Sequence, residues 1–256
     1  MPKLPKENNF LDLSDYGRPV AIVIANALKN SFITPIHVTV GFVVSGLIAI
    51  YCVFQGYYWY VALFLILKSI LDAVDGELAR INQKPTYIGR YLDSISDILL
   101  NALLFFSIWY ITQTSIWICI LAFFGLQLQG TLYNYYYVIL RNKFDGDTTS
   151  RVFENTAPIA LGHESQQHVN FLFGLYKLLY GPFDWIIYKL DKDAEKGIII
   201  PNWLMTLVST FGLGFQLLVI ACMLILKLEK YIFPFFLGYS FMIFVFIGIR
   251  KLLNQS

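Results

Sequence analysis

The chain contains few charged residues. Only 14% of its 256 residues are Asp, Glu, Lys or Arg, whereas 57% are hydrophobic. A soluble domain carries about 25% charged residues, so this chain has too few charges to solvate a globule of its size. The 19 basic and 17 acidic residues nearly balance, and no dense basic run occurs, which argues against nucleic acid as a partner. The composition therefore predicts a protein embedded in lipid.

Cysteine is also scarce, and no cleavable leader is recognisable. The three cysteines (Cys52, Cys119 and Cys222) all lie in apolar stretches, which indicates packing rather than a disulfide framework or a metal site. The first apolar stretch is too short for a signal peptide and lacks a small-residue cleavage pattern. Residues 20–28, with Arg18 before them and Lys29 after them, are typical of an amphipathic helix at the membrane interface, and an ordinary packing helix fits equally well.

Six longer apolar segments follow, each near the ~20 residues that cross a bilayer: residues 36–54, 57–71, 92–112, 115–138, 203–226 and 231–249. Breaks are expected at residues 55–56, 112–115, 181–182 and 201. We therefore expect an all-α integral membrane protein with six transmembrane helices. Residues 1–32 form its interfacial N-terminal segment, and residues 33–256 form the transmembrane domain.

Basic residues predict the orientation of these helices. With both termini in the cytoplasm, every Lys and Arg falls on the inner side except Lys68, Lys227 and Lys230. The loop at about 140–200 then lies inside and begins with a polar piece. Its aromatic-rich piece, residues 171–188, is predicted to be interfacial, and the tyrosines of 133–137 are predicted to form an aromatic belt at the membrane surface.

Acidic residues concentrate in one short region: Asp72, Asp75, Glu77, Asp93 and Asp97. At about 100° per residue, one helix face carries Asp72, Asp75, Gly76 and Ala79, with Arg80 at its edge and Lys68 one turn earlier. Glu77 points away by about 140°. On the next helix Gly89, Asp93 and Asp97 lie at i, i+4 and i+8. Acids at membrane depth are costly and usually functional, and here two helices present four carboxylates to each other.

Four neighbouring carboxylates repel one another unless cations neutralise them. Oxygen ligands favour hard cations, which predicts two Mg²⁺ or Mn²⁺ ions and suits phosphate chemistry. Gly76 and Gly89 leave room for a ligand or for the facing helix, and Arg80 suits a phosphate. The competing interpretation is structural, with the Asp residues capping helices and pairing with Arg80 and Arg90.

Two other features are open to interpretation. Lys68 is expected either to pair with Asp72 or to meet a phosphate or headgroup of the acceptor. His163 and His168 lie at i, i+5 and not at the i, i+4 spacing of a zinc hydrolase helix, so a solvated loop is favoured over a zinc site, with a headgroup contact as the alternative.

The pattern Asp72-x2-Asp75-Gly76-x2-Ala79-Arg80-x8-Gly89-x3-Asp93-x3-Asp97 resembles the signature of the CDP-alcohol phosphotransferase (phosphatidyltransferase) family. The resemblance implies a membrane enzyme that transfers a substituted phosphate from a CDP-linked donor to an alcohol and releases CMP. It implies metal ligation by Asp72, Asp75, Asp93 and Asp97, with Asp97 also the general base. It further implies a nucleotide pocket lined by Gly76, Ala79, Arg80 and Gly89, and a homodimer.

A second family element departs from the pattern. At the first span the resemblance leads us to expect Thr-Pro-Asn-x-x-Thr, and this chain has Ile36 in place of the Asn while keeping Thr34, Pro35 and Thr39. Thr39 therefore remains a candidate nucleotide contact.

The substrates stay open at this point. Either the donor is CDP-diacylglycerol and the acceptor is water-soluble, or the donor is a soluble CDP-alcohol and the acceptor is a lipid, so at least one substrate is a lipid. The lack of basic residues after Asp97 favours CDP-diacylglycerol slightly. The main alternative function is an ion-coupled transporter or cation channel that conducts through the Asp cluster.

Overall fold

The computed structural model describes residues 4, 9–82, 86–144, 154–162, 164–196 and 200–254. Within these ranges the regular secondary structure is entirely helical, which confirms the predicted all-α class. The α-helices are α1 (Arg18–Leu28), α2 (Pro35–Phe54), α3 (Tyr58–Ile81), α4 (Tyr87–Thr112), α5 (Ile116–Lys143), α6 (Gln166–Leu190), α7 (Asn202–Val208), α8 (Leu213–Ile225), α9 (Ile232–Tyr239) and α10 (Met242–Leu253).

Four helical segments are long and apolar enough to cross a membrane: Pro35–Phe54, Tyr87–Thr112, Ile116–Lys143 and Glu229–Leu253. A fifth arises if Asn202–Phe211 and Leu213–Ile225, which meet at a bend of 53°, form one span. The described part of the chain is thus that of a multi-pass membrane protein. The second expected span belongs to α3, whose C-terminal half carries the acidic motif and so lowers its apolar character.

The helix that carries the first acids is held from two sides. On one side α2 packs along α3 in a core that includes Ala49, Val53 and Leu65. On the other side α1 places Ala21 and Ala25, both fully buried, against the α3 face that carries Val74 and Leu78. The opposite face of α1 is exposed and largely apolar, so the structure shows that α1 supports α3 through its buried alanines.

A close approach of α2 and α4 positions the second acidic stripe. A Cβ atom on Gly46 would lie 2.9 Å from the Cδ1 atom of Leu100, which is closer than real side chains pack. Glycine at position 46 therefore lets α4 lie near α2, and α4 presents its acids toward α3.

The predicted break at residues 181–182 is wrong, because α6 continues through Gly181 and Pro182. Proline has no N–H, so Pro182 cannot donate the helical hydrogen bond to the carbonyl of Leu178. Both residues lie on the exposed side of α6, so no neighbouring helix covers the unpaired carbonyl. The aromatic-rich piece predicted to be interfacial is part of this helix. It packs against α4 and α5, with Phe173 beside Tyr91.

The predicted aromatic belt at residues 133–137 is also wrong. Tyr135, Tyr136 and Tyr137 are buried inside the protein. The hydroxyl of Tyr133 donates to Asp12 at 2.6 Å, and that of Tyr136 donates to Asp191 at 2.6 Å. The rings therefore pack within the bundle, because their hydroxyls find acceptors on distant parts of the chain.

Candidate active site

The structure brings the two acidic stripes together. Carboxylate oxygens of Asp72 on α3 and of Asp93 and Asp97 on α4 all lie within 4.8 Å of one another. These residues line a cavity of about 400 Å³ between α3, α4, α5, α6 and α8, which Asp75 lines as well. The helical periodicity of the motif thus predicted the facing arrangement of the carboxylates.

Asp75 is held by a residue of α2. The hydroxyl of Thr39, which is buried, donates a short hydrogen bond to Oδ2 of Asp75. Thr39 itself is not among the residues that line the cavity. In this structure its contact is therefore with a predicted metal ligand, and it orients that carboxylate.

Lys68 pairs with Asp97 and not with the expected Asp72. Its Nζ atom donates to Oδ1 of Asp97 at 2.5 Å, and the Lys68 residue is only 1% exposed. The side chain reaches from α3 to α4, and its Nζ atom lies 5.1 Å from the centroid of the Phe42 ring. No described residue bonds to Oδ2 of Asp97, so that second oxygen is available to the cavity.

The predicted nucleotide-binding residues divide into two groups. Gly76 and Arg80 line the cavity, whereas Ala79 and Gly89 are not among its described lining residues. The backbone N–H of Gly89 donates to the hydroxyl of Thr86, and a Cβ at position 89 would lie 2.5 Å from that oxygen. Glycine at 89 therefore allows Thr86 to cap the start of α4.

The basic residues of the motif have glutamate partners. Arg80 donates to Glu77 at 2.9 Å, and Glu77 also pairs with Arg18 of α1 at 2.8 Å. This places Glu77 toward α1 and away from the other acids, as the helical geometry predicted. Arg90 pairs with Glu154 at 2.6 Å.

The cluster fits a bound cation. Oδ1 of Asp93 is buried and has no hydrogen-bond partner within the described ranges. Leaving a buried carboxylate oxygen unsatisfied is costly, and the nearby carboxylates of Asp72 and Asp97 add repulsion. A hard divalent cation ligated by oxygen removes both costs. The donors present therefore suit Mg²⁺ or Mn²⁺ chemistry.

Sequence reasoning missed the contribution of α6 to this cavity. Tyr176, Tyr180 and Asp184 line it from α6. Burial, followed by the nearby Glu154 carboxylate, raises the pKa of Asp184 to about 7. The i, i+4, i+8 spacing of these three residues was a signal that they share a face, but nothing local indicated where that face would pack.

Of the two loop histidines, only His168 lies within the described residues. His163 lies outside the described residues, and His168 is exposed near the start of α6. Their neighbour Glu164 accepts from the backbone N–H groups of Tyr87 and Ile88 at 3.1 and 2.8 Å. This residue therefore stabilises the N-terminus of α4, where a carboxylate also interacts favourably with the helix dipole.

Residues 32–157 of the chain match the family described as CDP-alcohol phosphatidyltransferase. The matched segment includes Thr39, all four aspartates of the motif and the helices that carry them, and ends before α6 begins. A search of curated proteins gave no match. With its acidic motif on two facing helices and this match, the chain belongs to the CDP-alcohol phosphatidyltransferase family, a family of metal-dependent phosphotransferases of phospholipid synthesis.

Proposed function

We propose that this protein transfers a substituted phosphate from a CDP-linked donor to an alcohol hydroxyl and releases CMP. The observation that carries the proposal is the group of carboxylates from Asp72, Asp93 and Asp97 within 4.8 Å, one of whose oxygens is buried and unpartnered. Asp75 lines the same cavity beside them. We infer that the four carboxylates would hold two Mg²⁺ or Mn²⁺ ions, and that these ions would neutralise the phosphate oxygens and stabilise the leaving oxygen.

The roles of the chain's own residues follow from their positions. Asp97 accepts the proton of the acceptor hydroxyl through Oδ2, while Lys68 holds Oδ1. The acceptor oxygen then forms a bond to the phosphorus that bears the transferred group, and the bond from that phosphorus to CMP breaks. Gly76 and Arg80, which line the cavity, contact the donor diphosphate. The family pattern also implies nucleotide-pocket roles for Ala79 and Gly89, but neither lines this cavity. Thr39 acts by orienting Asp75.

We infer the membrane arrangement from the same helices. The six spans are α2, α3, α4, α5, the bent pair α7–α8 and the segment α9–α10, with α1 at the interface. Both termini and the cavity face the cytoplasm, as the distribution of Lys and Arg predicts. A homodimer, and a lipid as donor or acceptor, complete the proposal, with CDP-diacylglycerol the favoured donor.

CMP release by the purified protein tests this function. With Mg²⁺, either CDP-diacylglycerol or a CDP-alcohol is expected to yield CMP when a matching acceptor is supplied. The variant Asp97→Asn is expected to lose this activity, because the amide cannot accept the proton. Asp193→Asn, on an exposed turn after α6, is the matched control and retains activity.

The competing function is an ion-coupled transporter or cation channel. If no CDP-linked donor is turned over, and ion flux into liposomes depends on Asp72 and Asp75, the transporter interpretation replaces the enzyme. CMP release that survives Asp97→Asn would instead overturn only the general-base assignment.

A further inference from the structure

One wall of the cavity is built by a helix outside the matched segment. Tyr176, Tyr180 and Asp184 follow one another at i, i+4 and i+8 on α6, and all three line the cavity. We call these three side chains the α6 wall. Because residues 32–157 carry the proposed metal site, the α6 wall supplies a surface that the family motif does not contain.

The α6 wall is held close to the proposed metal ligands. The hydroxyl of Tyr180 donates to the backbone carbonyl of Ser94 at 3.0 Å, and Ser94 directly follows Asp93. The ring of Tyr176 stacks on that of Tyr180, with 5.1 Å between centroids and 21° between planes. It also lies 5.3 Å from the buried ring of Tyr91. The two wall tyrosines therefore have fixed positions beside the reacting groups.

The charge of the α6 wall is uncompensated. Asp97 and Asp15, which line the same cavity, pair with Lys68 and Arg18 respectively. Asp184 forms no ion pair with any residue in the described ranges. Burial, and to a smaller extent the carboxylate of Glu154, raises the pKa of Asp184 to about 7. Glu154 is itself paired with Arg90. A cation bound beside Asp184 would remove this penalty.

We propose that the α6 wall binds the positively charged amine of an amino alcohol, with Asp184 as its counter-ion and the tyrosine rings as its aromatic surface. Aromatic rings and a carboxylate together attract ammonium groups, the rings through their negative faces. This inference rests on the proposed function, whose substrate class it specifies. The amine belongs either to a soluble acceptor, used with CDP-diacylglycerol, or to the headgroup of a CDP-alcohol donor, used with diacylglycerol.

A CMP-release assay with matched substrates tests the inference. One arm combines CDP-diacylglycerol with ethanolamine or serine, and a second combines CDP-ethanolamine with diacylglycerol. A third arm, without a cationic alcohol, combines CDP-diacylglycerol with inositol or glycerol 3-phosphate. We expect turnover in one of the first two arms. Asp184→Asn is expected to raise the KM for the amine-bearing substrate at least tenfold, while Asp193→Asn leaves it unchanged.

Two further measurements separate a binding role from a structural one. Tyr180→Phe keeps the ring but loses the bond to Ser94, and a rise in KM smaller than that of Asp184→Asn supports the assignment. Saturation-transfer NMR on the intact protein with ethanolamine, which needs no turnover, is expected to give a signal that Asp184→Asn abolishes. An Asp184→Asn variant that retains the helical circular dichroism of the wild type shows that the loss is not one of folding.

The outcomes distinguish the inference from the proposed function. The α6 assignment is overturned if turnover occurs only in the third arm, or if the KM of Asp184→Asn is unchanged. In both cases the release of CMP still supports the proposed function. If no arm releases CMP, the proposed function fails. In that case the NMR experiment tests the ammonium site by itself. A signal that is present in the wild type and lost in Asp184→Asn supports the site, whereas the absence of a signal in the wild type overturns it.

Discussion

The buried pair of Lys68 and Asp97 makes a measurable prediction about stability. The two charged atoms lie 2.5 Å apart, and Lys68 is 1% exposed. At an effective dielectric constant of about 20, their attraction is about 7 kcal/mol. Desolvation offsets much of this gain, but removing one partner of a buried pair leaves the other charge uncompensated and costs about 3–5 kcal/mol.

The variant Lys68→Met removes the cation while keeping most of the volume of the side chain. In the presence of EDTA we expect its free energy of unfolding, measured by denaturant titration in detergent, to fall by about 3–5 kcal/mol. Mg²⁺ is expected to restore part of the loss, because a bound cation compensates Asp97. The double variant Lys68→Met/Asp97→Asn should be more stable than Lys68→Met alone, since neither charge is then buried.

The exposed lysine that follows α1 provides the control. Lys29→Met is expected to change the free energy of unfolding by less than about 0.5 kcal/mol. The reasoning is refuted if Lys68→Met in EDTA is as stable as Lys29→Met, or if the double variant is no more stable than Lys68→Met. Either result would mean that the pair does not contribute to stability as its geometry indicates.

Three further predictions concern the cavity. Asp93→Asn is expected to abolish the rise in Tm that Mg²⁺ gives the wild type, because it weakens a proposed ligand, and an unchanged rise would place the metal elsewhere. Thr39→Val removes the hydrogen bond to Asp75, and a hydrogen bond to a charged acceptor contributes about 1.5–3 kcal/mol. The Mg²⁺ concentration for half-maximal CMP release should therefore rise about tenfold or more. Thr39→Ser, which keeps the hydroxyl, should restore the wild-type concentration. Because the pKa of Asp184 is raised to about 7, KM for an amine-bearing substrate is expected to fall as pH rises from 6 to 8, and Asp184→Asn should lack this change.

The sequence predicted the acidic cluster because helical periodicity fixes which side chains share a face. Asp72 on α3 and Asp93 and Asp97 on α4 needed only a short connection to face one another. The partner of Lys68 was not predictable in the same way. It depends on how α3 and α4 lie relative to each other, which is set in part by α2, because α2 packs on both helices and approaches α4 closely where Gly46 meets Leu100.

The prediction that the tyrosine run on α5 forms an aromatic belt was wrong for a related reason. Its aromatic composition suits a membrane interface, and composition was the available local signal. The hydroxyl acceptors are Asp12 and Asp191, which lie 121 and 55 residues away from Tyr133 and Tyr136. Burial of these rings is therefore a property of the assembled bundle and not of the segment.

The division of the cavity between two parts of the chain has a chemical consequence. The proposed metal ligands of α3 and α4 act on the phosphate, which every CDP-linked donor shares. The α6 wall lies beyond the matched residues and lines the same cavity from another helix. Binding energy from a group remote from the reacting phosphorus is what distinguishes one alcohol from another. A helix that lies outside the motif but reaches Ser94, next to Asp93, can therefore change substrate choice without altering the phosphoryl chemistry.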